Sequence, residues 1–354
     1  MLKMEHSKSI KNILLIFLMI LVFYLMATLS KILLPLIIAF LFAMLFQPII
    51  IRLSKFKLPN IIILPIVAVI TLGFLYLVTE VVWTTVNDII AEQDFLITRF
   101  NEKFAAVLAW YNKISGSRFR TGTFFTQMYK QVDKQWLTEV AKNLFGSITS
   151  FSGDFFWFSI YYVVLLAGIP NYQKYFRHVG GLNGAELLSN YENIQKSVMS
   201  YMMLKTLINL LLGFGVFVVC LVFDVKFALF WGFIMFLLHY IPSIGAIIAT
   251  FPPILMCALQ SESLTPIAIV AALLVAMQFI IGNMLEPKIM GSKLKLNTLT
   301  VIFGLVFWGY IWGIAGMLLS VPMLVIMKLI LEKIPDMSVV ARLMGSPAKL
   351  HSED

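Results

Sequence analysis

The sequence predicts an all-α integral membrane protein with about six full transmembrane helices, two broken helical hairpins and an amphipathic helical region outside the cytoplasm. Three observations predict it. The chain of 354 residues is 60% hydrophobic and only 13% charged, with a mean hydropathy of +0.91, whereas soluble domains carry about 25% charged residues. Its apolar runs do not alternate and are far longer than the roughly 10-residue strands of a membrane barrel. Two of the long runs are interrupted midway by proline and glycine: Pro242-Ser243-Ile244-Gly245 within 230–256, and Gly309, Gly313, Gly316 and Pro322 within 299–331. An unbroken span needs about 20 apolar residues to cross roughly 30 Å of hydrocarbon. Neither side of the Pro242 break reaches that length. Non-helical backbone at membrane depth persists only where it is buried in protein or lines a wet cavity, so both runs read as hairpins.

The net charge of +9 lies in short basic clusters beside apolar runs, the pattern that sets topology. It is not a nucleic-acid signal. Cys220 and Cys257 both sit inside apolar runs and offer neither a disulfide framework nor metal spacing. No cofactor is expected. The lipid bilayer is the first partner.

The elements follow in order. Residues 12–30 form the first span and 32–51 the second, with Lys31 at the turn and Pro35 near the start, where a missing N–H matters least. No small-residue cleavage site follows the first run, so it is kept as a span. Lys3, Lys8 and Lys11, with Arg52, Lys55 and Lys57, place the N-terminus and the first loop in the cytoplasm. The third span, 61–83, closes an N-terminal segment of residues 1–83.

Residues 84–145 change character. Charges of both signs appear, and Phe100, Phe104, Val107, Leu108 and Tyr111 recur at helical spacing. This predicts two amphipathic helices separated by a turn at Ser115-Gly116-Ser117, extracytoplasmic by parity. Residues 146–205 hold a fourth span, to Gly168, and a cytoplasmic connection with Lys174, Arg177, Lys196 and Lys205. Residues 206–333 hold the core: a fifth span (206–223), the first hairpin with a second interruption at Pro252-Pro253, a sixth span (265–285) and the second hairpin. A cytoplasmic tail, 334–354, ends the chain. Span five plus hairpin and span six plus hairpin form an inverted repeat. Gly245-Ala246-Ile247-Ile248-Ala249-Thr250-Phe251-Pro252 pairs with Gly316-Met317-Leu318-Leu319-Ser320-Val321-Pro322. Such repeats build midplane sites.

Three motifs carry a family resemblance: Ile241-Pro242-Ser243-Ile244-Gly245-Ala246; Glu286-Pro287-Lys288-Ile289-Met290-Gly291 running on to Asn297; and Gly313-Ile314-Ala315-Gly316 running on to Pro322. Together they resemble the autoinducer-2 exporter family of bacterial membrane proteins, over nearly the whole chain. The resemblance implies a multi-pass, homo-oligomeric protein of the inner membrane, with a pentamer among the expected assemblies. It links the chain to export of a furanone quorum signal, and some members to sodium–proton antiport. The chain departs from the family pattern at Ser243, where an aromatic is common, at Ala246, where proline is common, and at Asn297-Thr298, where a His-Pro pair is common.

No phosphate loop, metalloprotease motif or nucleophile–base pair is visible, which leaves gradient-driven or facilitated transport. Glu286 is a carboxylate beside or inside the membrane, with Lys288 as a candidate partner or a plain interface anchor. His239, just before the first break, is a titratable candidate. Asn209, Gln278 and Asn283 either line a pathway or bond helices together. Pro242, Ser243, Gly245, Gly313 and Gly316 mark the hairpin tips. Three readings stay open: a secondary exporter or facilitator of a small polar molecule, a monovalent cation–proton antiporter using sodium and protons, and a membrane scaffold.

Overall fold

The computed structural model describes residues 13–14, 17–18, 20–56, 59–115, 155–168, 178, 184–290, 296–334 and 337–345. Among the described residues all regular elements are helical. In chain order they are α1 (Ser30–Ser54), α2 (Asn60–Ala91), α3 (Gln93–Ser115), α4 (Phe155–Gly168), α5 (Gly184–Val222), α6 (Ala228–Leu238), α7 (Ile244–Gln260), α8 (Leu264–Met277), α9 (Thr298–Leu331) and α10 (Ser338–Leu343). Residues 20–28 are also helical. At about 1.5 Å per residue, α1, α2, α5 and the helical run Leu264–Met290 are each long and apolar enough to cross a bilayer.

The described residues fall into two units. The first is drawn from 1–68, 154–204 and 290–354, the second from 69–153 and 205–289.

In the first unit, residues 20–28 pass into α1 through Leu29, whose dihedrals (φ −91°, ψ 18°) leave the helical region. The break is one residue, not a loop at Lys31. Gln47 of α1 and Gln195 of α5, both buried, hydrogen-bond to each other, and Phe42 meets Phe158 of α4 edge-on at 5.6 Å. The long run α9 does not cross as one rod. Trp312 (φ −128°, ψ 16°) and Gly313 (φ 62°, ψ −143°) are non-helical. A Cβ placed on Gly304 would run into Leu324, one on Gly309 would meet Met317 at 3.0 Å, and one on Gly316 would overlap the Trp308 carbonyl. Contacts that close symmetrically about residue 313 mean that the chain doubles back. The expected second hairpin is present, and its length of 34 residues is two arms. Asn297 caps it, accepting from the Thr300 N–H at 2.6 Å. The same side chain donates to Leu343 O of α10 at 2.6 Å, and the Asn297 backbone N–H donates to Met344 O at 2.9 Å. Trp312 Nε1 donates to Met26 O at 3.1 Å.

In the second unit, α6 and α7 form the first hairpin. Their 11 and 17 residues give arms of about 17 and 26 Å, both short of the hydrocarbon thickness. Between them Ser243 holds φ 61°, a conformation that favours glycine. Gly245 then sits so close that a Cβ would overlap Leu238 O. The expected second interruption does not occur, because α7 runs straight through Pro252 and Pro253. Membrane helices tolerate proline where neighbouring groups re-satisfy the backbone. The C-terminal half of α5 crosses α6 at two glycines: a Cβ on either Gly213 or Gly232 would lie 2.6 Å from the other's carbonyl oxygen. Small residues let membrane helices approach this closely.

Two boundaries differ from expectation, and a third lies outside the described residues. The third span runs on to Ala91 because residues 84–91 contain no glycine or proline to stop it. The fourth span is described only from Phe155. The fifth is part of a 39-residue helix beginning at Gly184, so no loop lies at Lys205; again, no helix breaker falls between Ala185 and Leu212. Of the amphipathic region, α3 is described as far as Ser115, and the rest of the expected turn and the second helix lie outside the described residues. Lys103 donates to Ser261 O at 2.6 Å, Arg99 pairs with Glu262 at 2.7 Å, and Lys226 pairs with Glu92. The base of α3 thereby holds the turn between α7 and α8. The hydrogen bond and charge of Glu262 raise the Arg99 pKa above its ordinary value.

Candidate functional site: a buried polar cluster beside the first hairpin

The second unit brings five polar side chains together from three stretches of chain. α5 supplies Lys205 and Asn209, four residues apart and so on one helical face. His239 follows the last turn of α6. The helical run after α8 supplies Gln278 and Glu286. The burial is deep: Lys205 is 3% exposed, Asn209 0% and His239 4%.

The geometry is that of a network. Lys205 Nζ lies 2.5 Å from Glu286 Oε1 and 3.3 Å from His239 Nδ1. His239 Nδ1 is 2.9 Å from Asn209 Oδ1 and 3.7 Å from Glu286 Oε2. The other ring nitrogen, Nε2, is 3.2 Å from Gln278 Nε2. Asn209 Nδ2 donates to Phe236 O at 3.1 Å, which turns the carboxamide oxygen toward the imidazole. Gln278 Oε1 is buried and has no hydrogen-bond partner among the described residues. Beside the cluster, Thr206 Oγ1 and the Tyr240 hydroxyl are 2.6 Å apart.

Helix geometry explains how Gln278 and Glu286 reach the same place. Eight residues of α-helix would leave them about 80° apart around the axis. From Gln278 to Leu285, however, the helix is π-type, with wider turns whose bonds step from i to i+5, so eight residues come closer to two whole turns. Gly282 lies within this segment. A Cβ there would overlap Gln278 Nε2 and stand 3.3 Å from His239 Nε2. Glycine at 282 leaves room for the Gln278 amide to sit against that edge of the ring.

Of the residues singled out from sequence, the structure gathers Asn209, His239, Gln278 and Glu286. Pro242 is half-buried and Ser243 exposed at the hairpin break, with Gly245 buried behind them. Asn283 and Lys288 are exposed, and the ammonium beside Glu286 belongs to Lys205 and not to Lys288. Gly313 and Gly316 serve the second hairpin, in the first unit. Lys205 is the member that sequence reading missed, because a lysine at the end of a basic stretch reads as a topology signal. The available clue was Asn209, four residues on in an otherwise apolar run.

Chemically, the cluster is a half-buried carboxylate with a buried ammonium and imidazole in reach, lodged among apolar helices at a hairpin break. Intramembrane charges of this kind mark solute and ion pathways. The fold is that of a multi-pass membrane protein, and comparison with known proteins adds the transporter class. The chain belongs to the AI-2E family transporter family, whose profile matches residues 12–336. It is similar to the AI-2 transport protein TqsA of Escherichia coli, 26% identical over 304 residues and 86% of each chain. A Haemophilus influenzae relative is 39% identical over 154 residues, 44% of each chain. The Escherichia coli protein YhhT is 37% identical over 168 residues, 48% of this chain and 45% of its own. The family resemblance read from the three motifs therefore holds, and the protein is a membrane transporter.

Proposed function

We propose that the protein is a secondary transporter that moves a small polar solute across the bacterial inner membrane, by a gradient or by facilitated diffusion, and that the Lys205–His239–Glu286 cluster is part of its working site. One observation carries the reading: an ion pair at 2.5 Å, with its lysine 3% exposed, placed against a hairpin whose arms are too short to span. Taking two charges out of water costs several kcal/mol per ion. Replacing such a pair by well-packed apolar residues is often neutral or stabilising, so stability alone gives little reason to keep it. Paired broken helices are also the form in which transporters build solute sites. The similarity to an AI-2 transport protein of Escherichia coli supplies the first solute to try, an autoinducer-2-like signal.

The reading includes a homo-oligomer and a multi-pass topology with both termini cytoplasmic, supported by the basic residues at Lys3, Lys8, Lys11, Arg52 and Lys55. The test is efflux of autoinducer-2 from liposomes containing the purified protein, with and without imposed pH or sodium gradients. Flux above protein-free liposomes, lost in Glu286→Gln, supports the reading. Equal leakage from both kinds of liposome overturns it.

A further inference from the structure

The hydrogen bonds around His239 cannot all be satisfied at once, and the conflict has a direction. Asn209 Oδ1, held by the bond from Asn209 Nδ2 to Phe236 O, needs a hydrogen on Nδ1, 2.9 Å away. An ammonium on Lys205, 3.3 Å from the same Nδ1, needs that nitrogen bare, since lysine can only donate. Nδ1 therefore has two competing partners, one for each tautomer. The far side of the ring mirrors the choice. With Nε2 bare, the Gln278 amide donates to it and Gln278 Oε1 is left without a partner. With Nε2 protonated, an amide flip turns that orphaned oxygen into the acceptor. The other ionisable groups near the ring are Glu286, with Oε2 at 3.7 Å, and Tyr240, whose hydroxyl is engaged by Thr206.

We infer that this cluster is a proton-exchange site, in which His239 relays a proton between its Gln278 side and the amine of Lys205. The inference rests on, and deepens, the transport reading. A proton from solvent reaches Nε2 on its Gln278 side, 3.2 Å from the amide, and binds there. The N–H bond at Nδ1 then breaks as that proton passes to the lone pair of the Lys205 amine, and a new N–H bond forms at Nζ. The imidazole is left neutral with its hydrogen on Nε2, and the new ammonium pairs with Glu286. The cluster moves from net −1, a lone carboxylate, to net zero, a closed ion pair. Unloading reverses each step. Proton occupancy is thereby tied to whether Glu286 is paired or bare, which is the quantity a coupled transporter has to change.

The experiment is 15N NMR of the full-length protein in lipid nanodiscs, ring-labelled at its four histidines, with His239 assigned by its loss in His239→Gln. Spectra are taken from about pH 5 to pH 10, the interval that brackets ordinary histidine and lysine titration. The expected result is an exchange of the protonated position between Nδ1 and Nε2 as pH changes. That exchange should disappear in Lys205→Met. Because a lone buried carboxylate can unfold the protein, the doubly neutral Lys205→Met/Glu286→Gln variant is measured alongside and should also hold one tautomer throughout. A tautomer that stays constant in the unmodified protein overturns the inference, as does the same exchange persisting in the double variant. No solute enters this measurement, so its failure is distinct from a failure of autoinducer-2 efflux.

Discussion

Single atoms decide more here than composition does. Gly245 and Gly316 each rest against a carbonyl oxygen one arm back, that of Leu238 and that of Trp308. Backbone cannot move aside as a side-chain tip can, so Gly245→Ala and Gly316→Ala should each destabilise the protein by about 1–3 kcal/mol, the usual range for overpacking. Nothing lies within 4 Å of a Cβ at Gly73 or Gly168, and alanine there should be neutral or stabilising by up to about 1 kcal/mol. Thermal unfolding of the four variants in one detergent checks both halves of the expectation. The buried ion pair has a similar asymmetry. Lys205→Met or Glu286→Gln alone should cost about 3–5 kcal/mol, while the two together should cost less than either, because no charge is left unpaired. A double-mutant cycle in denaturant measures this directly, and additive losses would show that the pair is not coupled. Glu286 was legible in the sequence as an expensive carboxylate. Its partner was not, because a contact between residues 81 apart in the chain leaves no local trace.

Among the helices, punctuation was legible and continuation was not. Pro242-Ser243 and Gly313 signalled the two hairpins by interrupting long apolar runs near their middles. The structure adds an echo between them: in each hairpin, the chain turns on a residue with positive φ and then seats a glycine on the preceding arm. What pattern reading got wrong were places where nothing stops a helix, as at Thr84 and Lys205, and the Pro252-Pro253 pair, which α7 absorbs. The π-type segment was invisible, since a change from i+4 to i+5 bonding has no compositional mark. Gly282 tests that segment. A methyl there displaces Gln278 from the ring, so Gly282→Ala should reduce efflux while leaving insertion and assembly intact, as read by size-exclusion profile. α3 offers a second test at this scale. Its ties to Glu262 and Ser261 are side-chain contacts at the margin of the unit. Arg99→Ala/Lys103→Ala should therefore speed hydrogen exchange at residues 260–263 without slowing exchange elsewhere; unchanged exchange there would mean that α3 does not hold the turn.

For the molecule as a whole, class was the easiest inference, since a chain 60% hydrophobic with long unbroken runs has no soluble solution. The assignment of the two hairpins to different units was not legible, because the sequence presents them as neighbours in a single core. Topology can be tested across one helical run. Leu264–Met290 has 27 residues, about 40 Å, so its two ends should lie on opposite faces of the membrane. With Cys220 and Cys257, both buried, replaced by alanine, Ser261→Cys should react with a membrane-impermeant maleimide from outside intact cells. Lys288→Cys should react only after the cells are opened. Labelling of both from one side would remove the proposed orientation.

The doubled-back α9 also bears on how the protein is made. A largely apolar run of 34 residues looks to the insertion machinery like one generous crossing, yet its two arms end where they began, with Asn297 bonded to Leu343 and Met344. The arms meet at Gly304, Gly309 and Gly316, so the pair is expected to be released from the translocon together, already closed on those glycines. A reporter enzyme fused after residue 345 would then read the same compartment as one inserted at residue 296, although a hydropathy plot drawn through 298–331 sends them to opposite sides.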